Sequence, residues 1–180
     1  MKTIYVVRHC KAEGQAPDAR LTGEGVRQAE KLAEFLAARN VDCIVSSPFE
    51  RAVRTIKPLA DRLGLEIRLN EALTERILTD KDHPDWREML RRTFDDPELC
   101  YEGGESSRAA TSRIVRTAAE ILRSGCSNAV IVSHGNLISL LLKHYDHRFG
   151  FREWEFLSNP DVYKLTFDND TPAIRRIWPG

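Results

Sequence analysis

The 180-residue chain lacks the features that define several large classes of protein. Its four cysteines, Cys10, Cys43, Cys100 and Cys126, are far apart and form no CxxC pair, which argues against a zinc site or a disulfide framework. The apolar stretch at the N-terminus stops at Arg8, and no later apolar run reaches the length of a membrane span. These absences predict a cytoplasmic protein with reduced thiols, without a signal peptide or a membrane partner.

The chain also lacks an excess of charge of either sign. Lys and Arg together number 27 and Asp and Glu together number 27, so no overall field attracts nucleic acid or an anionic membrane. Neither a GxxxxGK[ST] motif nor a complete GxGxxG motif is present, which excludes the usual backbone cradles for nucleotide phosphates. We therefore expect no nucleic-acid partner, and any anion site must be local and built from side chains.

The apolar pattern alternates between strand and helix periodicities along the chain. Parallel strands need helical crossovers, so this alternation predicts a three-layer α/β/α sandwich with a mostly parallel central sheet. With 42% apolar residues, the length suits a single domain over residues 1–180, with an insertion at about 77–102 that shapes the pocket. The predicted strands are Thr3–Val7, Asp42–Ser46, Leu65–Leu69, Ala129–Val132 and a terminal hairpin of Val162–Phe167 with Ala173–Trp178. The first predicted helix has Thr22 as its N-cap and runs to about Ala38, and the second is capped by Ser47 with Pro48 in its first position. The other predicted helices are Glu105–Arg123 and Leu137–Lys143.

Arginine and histidine side chains follow several of these predicted strands. Arg8 and His9 end the first strand, Arg51 lies in the first turn after the second, and His134 ends the strand before the last helix. Ligands of open α/β sheets bind beyond the carboxyl ends of the strands, so these side chains are predicted to meet there. The planar fork of arginine matches phosphate oxygens, which makes a phosphoryl group the predicted ligand.

Several short motifs, in order along the chain, resemble those of the histidine phosphatase, or phosphoglycerate mutase-like, superfamily. Arg8-His9-Cys10 resembles the RHG signature of that family. The further matches are Leu21-Thr22 with Gly25 and Gln28-Ala29 (LTxxGxxQA), Ser46-Ser47-Pro48 with Arg51-Ala52 and Thr55 (SSPxxRAxxT), Gly103-Gly104-Glu105-Ser106 (GGES) and Ser133-His134-Gly135-Asn136 (SHGN). Several motifs at compatible spacings are far more specific than any one of them.

The resemblance implies roles for individual residues. His9 is implied to be the nucleophile that accepts the phosphoryl group, while Arg8, Arg51 and His134 hold the phosphate, His134 acting best as a protonated donor. Glu75, in Leu73-Thr74-Glu75, matches the acidic residue of the family and is predicted to be the general acid and then the base. The scheme requires neither a metal nor a cofactor. The predicted substrate-binding residues are Gln15, Thr22, Gly135 and Asn136.

Two positions depart from the family pattern. Cys10 stands where the signature has glycine, and a buried, inert thiol is the favoured interpretation. Gln15 stands where an asparagine that contacts phosphate is usual, and its side-chain amide can still donate a hydrogen bond.

Other side chains compete for some of these roles. Glu71 and Glu105 are alternatives to Glu75 as the acid. His144 and His147 with Asp146 could suggest a metal site, although a solvated helix end is the favoured interpretation. The aromatic residues of the insertion, Trp86, Phe94 and Tyr101, could line the pocket, although packing on the core is the favoured interpretation for them too.

The predicted function is hydrolysis of a small phosphorylated substrate, a phosphomonoester, through a phosphohistidine on His9. The alternatives are phosphoryl transfer of the phosphoglycerate mutase type and a non-catalytic module that binds a phosphorylated ligand. A mutase is less favoured because Ile77 and the residues after it do not resemble the mutase pattern LNERHYG. For the oligomeric state we expect a monomer or a homodimer.

Overall fold

Six strands form one sheet in the computed structural model, which describes residues 1–180. The strands are β1 (Lys2–Arg8), β2 (Cys43–Ser46), β3 (Ile67–Leu69), β4 (Asn128–Ser133), β5 (Asp161–Phe167) and β6 (Ala173–Arg176). Their order across the sheet is β3-β2-β4-β1-β5-β6. β1, β2, β3 and β4 are mutually parallel, whereas β5 runs antiparallel to both β1 and β6. The predicted mostly parallel sheet and the predicted terminal hairpin at its edge are therefore confirmed.

Helices cover both faces of the sheet and make the predicted three layers. They are α1 (Gly23–Ala37), α2 (Glu50–Leu63), α3 (Trp86–Asp95), α4 (Ser107–Arg123), α5 (Gly135–Tyr145) and α6 (Phe151–Glu155), with a short 3₁₀ turn at Glu71–Leu73. α1 and α2 pack on one face through residues such as Leu32 and Ile56, and α4 and α5 pack on the other through residues such as Ile114 and Leu137. None of the helices combines the length and apolar character needed to span a bilayer.

Two of the six α-helices, α1 and α4, begin with a side-chain cap. The hydroxyl of Thr22 accepts a hydrogen bond from the backbone N–H of Gly25 and caps α1, as predicted. Ser106 caps α4 in the same way through Ala109.

The predicted cap of α2 is wrong. Ser47 was expected to cap this helix, but α2 begins at Glu50 with Phe49 at its cap position. The Ser47 hydroxyl instead accepts a hydrogen bond from the Phe49 N–H across a tight turn. It also contacts His134, the residue that follows β4. A tertiary partner competes here for the side chain that the local pattern assigned to the helix.

Candidate active site

The carboxyl ends of β1, β2 and β4 form the carboxyl edge of the sheet, and the predicted histidines and arginines meet there. β1 pairs directly with β4, with Arg8 opposite Ser133, so His9 and His134 both leave the sheet at the same level. The ring centroids of His9 and His134 are 5.1 Å apart. The parallel topology therefore brings together two residues 125 positions apart in the chain, as the strand-end pattern predicted.

The imidazole of His9 is fixed in one orientation. Its Nδ1 lies 2.7 Å from the carbonyl oxygen of Cys10, which can only accept, so Nδ1 carries the proton. In the neutral ring, Nε2 then keeps a lone pair, and the Nε–H of Arg51 donates to it at 3.3 Å. The side chain is 6% exposed. This arrangement suits a nitrogen that attacks an electrophile held beside Arg51.

Arg51 reaches the site from the first turn of α2. Its Nη1 donates to the carbonyl oxygens of Gln15, at 3.2 Å, and Ala16, at 2.9 Å, and its guanidinium lies over the ring of Phe49. The same phenyl ring contacts His134, at 5.0 Å between centroids. The guanidinium is therefore held from two sides with its Nε directed at His9.

Arg8 approaches the site from the end of β1. Its Nη1 donates to the carbonyl oxygen of Leu157 at 2.9 Å, while its Nε is buried and has no hydrogen-bond partner in the protein. A Cβ atom added to Gly135 would lie 3.0 Å from the guanidinium carbon of Arg8. Glycine at the start of α5 thus lets the arginine lie directly against the backbone, which gives the SHGN motif a steric reason.

The motif around α1 supports the loop that follows His9. The side-chain oxygen of Gln28 accepts from the Lys11 N–H at 2.9 Å, and the backbone N–H of Thr22 donates to the Lys11 carbonyl. A Cβ on Gly25 would lie 2.1 Å from the same carbonyl oxygen, a separation that no side chain permits. The spacing of LTxxGxxQA therefore describes how one helix holds one peptide unit close to His9.

Cys10 is part of this support. It is fully buried and packs against Leu21 and Ala29, and its backbone N–H donates to the Thr55 hydroxyl at 2.8 Å. Burial raises the pKa of the thiol to about 12, so it stays protonated and unreactive near neutral pH. The expected burial of Cys10 is confirmed, and its inertness stays a prediction that the raised pKa supports.

Burial also lowers the pKa values of both histidines. The pKa of His9 falls to about 4, chiefly by desolvation, with further lowering by Arg51 and Arg8 against a raising effect of the Cys10 carbonyl. The pKa of His134 falls to about 2, by desolvation first and then by His9 and the nearby arginines. His134 is therefore neutral in the ligand-free site, and its role as a protonated donor to bound phosphate stays a prediction. A bound anion would have to restore that proton.

The side chain of Glu75 lies against the N-terminus of α5. Its two carboxyl oxygens accept from the backbone N–H groups of Asn136, at 3.0 Å, and Leu137, at 2.9 Å, and one also accepts from the Arg76 N–H. The negative charge of Glu75 favours the charged forms of Arg8 and Arg51. Glu75 therefore lies beside the group formed by these arginines, His9 and His134, which we call the cationic cluster.

The competing acids lie in other settings. Glu105 forms an ion pair with Arg113 at 2.6 Å, and Arg113 also donates to the carbonyl oxygens of Ala72 and Thr74. This pair fixes the segment that leads to Glu75. Glu71 is exposed on the short 3₁₀ turn.

The predicted substrate-binding residues differ in how they reach the cluster. Gly135 underlies Arg8, as described above. Gln15 contacts Arg51 only through its backbone carbonyl, and its side chain is exposed. The Thr22 hydroxyl bonds to Gly25 and Lys11, and the side-chain oxygen of Asn136 is buried without a partner. Substrate binding by the side chains of Gln15, Thr22 and Asn136 stays a prediction.

Three residues of the site escaped the sequence analysis. Asn159 donates from Nδ2 to the His9 carbonyl oxygen at 2.9 Å. The Ser47 hydroxyl lies 2.8 Å from Nε2 of His134, and Phe49 covers both His134 and Arg51. Ser47 belonged to a recognised motif that could have pointed to it, whereas nothing local to residues 157–160 signals a contact with β1.

The aromatic residues of the insertion contact α6 and α3. Phe94 is buried against Phe151, Trp86 lies edge-on to Trp154, and the Tyr101 hydroxyl donates to the Met89 carbonyl. Packing on the core is confirmed for Phe94, which is 7% exposed, whereas Trp86 is 47% exposed. Whether any of the three lines the pocket stays a prediction.

The histidines at the end of α5 take part in no metal-type cluster. No group of three or more His, Cys, Asp and Glu side chains is arranged to hold a metal ion. The carboxylate of Asp146, which stood between His144 and His147 in the sequence pattern, pairs with Arg148.

Comparison with known proteins identifies the family to which this fold and cluster belong. The model of the histidine phosphatase superfamily, branch 1, matches residues 4–178, and the chain belongs to this superfamily. The resemblance carried by the motifs is therefore confirmed.

Relatives in this superfamily include phosphatases and mutases. Phosphoserine phosphatase 1 of Hydrogenobacter thermophilus is 28% identical over 155 residues, which cover 74% of this chain and 71% of the relative. A probable phosphoglycerate mutase of Enterobacter sp. is 28% identical over 160 residues, covering 79% and 74% of the two chains. Among solved structures, a mycobacterial glucosyl-3-phosphoglycerate phosphatase in complex with inorganic phosphate is similar at a TM-score of 0.79, with 26% identity and coverage of 100% and 98%.

Proposed function

We propose that the protein hydrolyses a small phosphomonoester through a phosphohistidine intermediate on His9. The observation that carries this proposal is the fixed imidazole of His9, whose proton is committed to the Cys10 carbonyl and whose Nε2 faces Arg51. With a pKa lowered to about 4, the ring is neutral near pH 7 and needs no base. The Arg51 N–H that bonds to Nε2 must turn to a phosphoryl oxygen before the lone pair can attack.

In the first step Nε2 of His9 attacks phosphorus and the bond from phosphorus to the ester oxygen breaks. Arg8 and Arg51 stabilise the charge on the equatorial oxygens, since guanidinium groups stay charged and donate in pairs. His134 joins them once the bound phosphoryl group favours its protonated form. Three donors around one nucleophile thus supply the electrostatic stabilisation that phosphoryl transfer needs.

Glu75 supplies the proton that the leaving oxygen requires. Its carboxyl oxygens accept backbone N–H bonds from the start of α5, so one of these bonds must give way when the carboxyl group takes up a proton from solvent and passes it to the leaving oxygen. In the second step the same group removes a proton from water, which attacks the phosphohistidine and releases inorganic phosphate. The reaction returns His9 and Glu75 to their starting states. The proposal includes a cytoplasmic setting and a monomer or homodimer.

The test is phosphate release from an aryl phosphomonoester with chelator present, for the unaltered protein and for His9→Ala, Glu75→Gln and His147→Ala. We expect His9→Ala to lower turnover by at least about four orders of magnitude, because no nucleophile remains. Glu75→Gln should lose about 10²-fold to 10⁴-fold, the usual worth of an acid and base. His147 is exposed at the end of α5, and its variant controls for the loss of a histidine elsewhere.

Retained turnover in His9→Ala would overturn the proposal. If the unaltered protein interconverted phosphoglycerates without net release of phosphate, the mutase alternative would replace hydrolysis. If phosphate raised the melting temperature while neither activity was present, the binding-module alternative would replace it.

A further inference from the structure

The segment that leads into β5 crosses the carboxyl edge beside Arg8 and His9. β5 is antiparallel to β1, so it begins where β1 ends, and Asp161 lies directly opposite Arg8 in the ladder. We call residues 157–161 together with Arg176 the C-terminal clamp. Reversal of this one strand brings a distant part of the chain to the cationic cluster.

The C-terminal clamp bonds directly to both of the first two site residues. The Leu157 carbonyl accepts from Nη1 of Arg8 at 2.9 Å, and the Ser158 carbonyl lies 3.5 Å from the same atom. The Asn159 side chain donates to the His9 carbonyl at 2.9 Å. The orientation of Arg8 therefore depends on where the backbone of residues 157 and 158 is held.

Asp161 and Arg176 hold that backbone. The Asp161 carboxylate accepts from the Ser158 N–H at 3.1 Å and pairs with Nε of Arg176 at 2.9 Å. Nη2 of Arg176 also donates to the Ser158 hydroxyl at 3.2 Å. One arginine on the edge strand thus contacts both ends of the turn that orients Arg8.

The ion pair between Asp161 and Arg176 also balances a buried negative charge. The residue is 1% exposed, and a buried carboxylate is costly unless a cation pairs with it. Two cations lie near this carboxylate. Arg176 forms an ion pair with it, and Arg8 is close enough for the charge of Asp161 to act on it. With Arg176 in place, the charge of Asp161 is balanced and Arg8 is free to serve the anion site.

We propose that Arg176, acting through Asp161, is a positioning residue that keeps Arg8 available for the phosphoryl group. The proposal rests on the proposed function only in assigning phosphate to Arg8. Removing Arg176 leaves Asp161 as an unpaired buried carboxylate, which then competes with phosphate for Arg8. The predicted loss is therefore one of phosphate affinity and kcat/KM.

The test compares Arg176→Ala with Arg175→Ala, its exposed neighbour on β6 that makes no ion pair. We expect Arg176→Ala to lower kcat/KM and the affinity for inorganic phosphate by about tenfold each, as misplaced binding groups do. Arg175→Ala should match the unaltered protein. Arg176→Lys keeps the charge and should recover most of the loss, and it remains informative if Arg176→Ala folds poorly in circular dichroism.

The double variant Asp161→Asn/Arg176→Ala tests the electrostatic reason. Removing both charges leaves no unpaired carboxylate, so its phosphate affinity should exceed that of Arg176→Ala alone. Equal affinities for Arg176→Ala and Arg175→Ala, or a double variant no better than Arg176→Ala, would overturn the proposal. Phosphate affinity is measured by titration, so the result is independent of whether the unaltered protein turns over substrate.

Discussion

The carboxyl edge and the insertion between the third strand and α4 are built in opposite ways. At the carboxyl edge, His9, Arg51 and His134 are 6%, 1% and 1% exposed. His9 and Arg51 are hydrogen-bonded to each other, and each also bonds to a backbone carbonyl. In the insertion, the charged side chains of α3 pair with one another at the surface, as Arg91 does with Glu88 and Asp95, at 45% exposure of the arginine side chain.

The two regions therefore differ in whether their polar groups are buried with fixed partners or paired in solvent. A buried polar group that loses its partner costs far more than a solvated pair, so the carboxyl edge tolerates few changes. Solvated pairs contribute little, and the insertion can vary in sequence without loss of the fold. We therefore expect substitutions at the carboxyl edge to affect activity and substitutions on the solvated face of the insertion to be tolerated.

The largest effect within this comparison is expected for Arg51→Ala. It removes a buried guanidinium that bonds to His9 and to the Gln15 and Ala16 carbonyls, so kcat/KM should fall about 10²-fold to 10³-fold. The matched control is Arg54→Ala, one turn along α2, whose side chain is exposed and pairs only with Glu50. Steady-state kinetics check both variants, and equal activities would show that burial at this edge has no catalytic meaning.

An intermediate effect is expected when the pH is lowered and the free energy of unfolding is measured. The folded pKa of His9 is about 4 and that of His134 about 2, both below the unfolded value of about 6.5, so the unfolded chain binds more protons in acid. Stability is then fully present above pH 6.5 and is lost as the pH falls, with His9 accounting for about 3 kcal/mol by pH 4. Urea unfolding at several pH values measures this slope.

One variant and its control test the contribution of His9. His9→Gln should make the pH dependence of the unfolding free energy shallower and leave the part due to His134, while His147→Gln, at an exposed site, should leave the dependence unchanged. An identical slope in both variants would contradict a buried neutral imidazole at His9.

The smallest effect is expected for Arg91→Ala in the insertion. Its partners Glu88 and Asp95 stay solvated without it, so the unfolding free energy should change by less than about 1 kcal/mol and kcat/KM should not change. Chemical denaturation and kinetics measure both quantities. A loss comparable to that of Arg51→Ala would remove the distinction between the two regions.

The sequence could predict those parts of the site that local patterns encode. Arg8, His9 and His134 lie at strand ends, and their meeting could be predicted because parallel crossovers put the carboxyl ends of the strands at one edge. Thr22 was recognised as a cap because a cap is defined by neighbours three residues away. The same local reasoning explains why Gly25 and Gln28 were flagged as a motif although their contact with Lys11 was not foreseen.

The rest depended on contacts that no local pattern carries. The cap role of Ser47 was lost to His134, a residue 87 positions away, and Asn159 reaches His9 from 150 positions away. The neutral state of His134 follows from burial among cations, which only the packed structure reveals. Long-range partners and desolvation are therefore what separated the prediction from the site.

The position of β1 between β4 and β5 also has a consequence for how the protein folds during synthesis. β1 is translated before both of its neighbours in the sheet, which emerge more than 100 residues later. Pairings of such sequence separation form late, because loop-closure entropy opposes them until much of the chain is present. Arg8 and His9 therefore wait for the second half of the chain before His134 and Asn159 can join them.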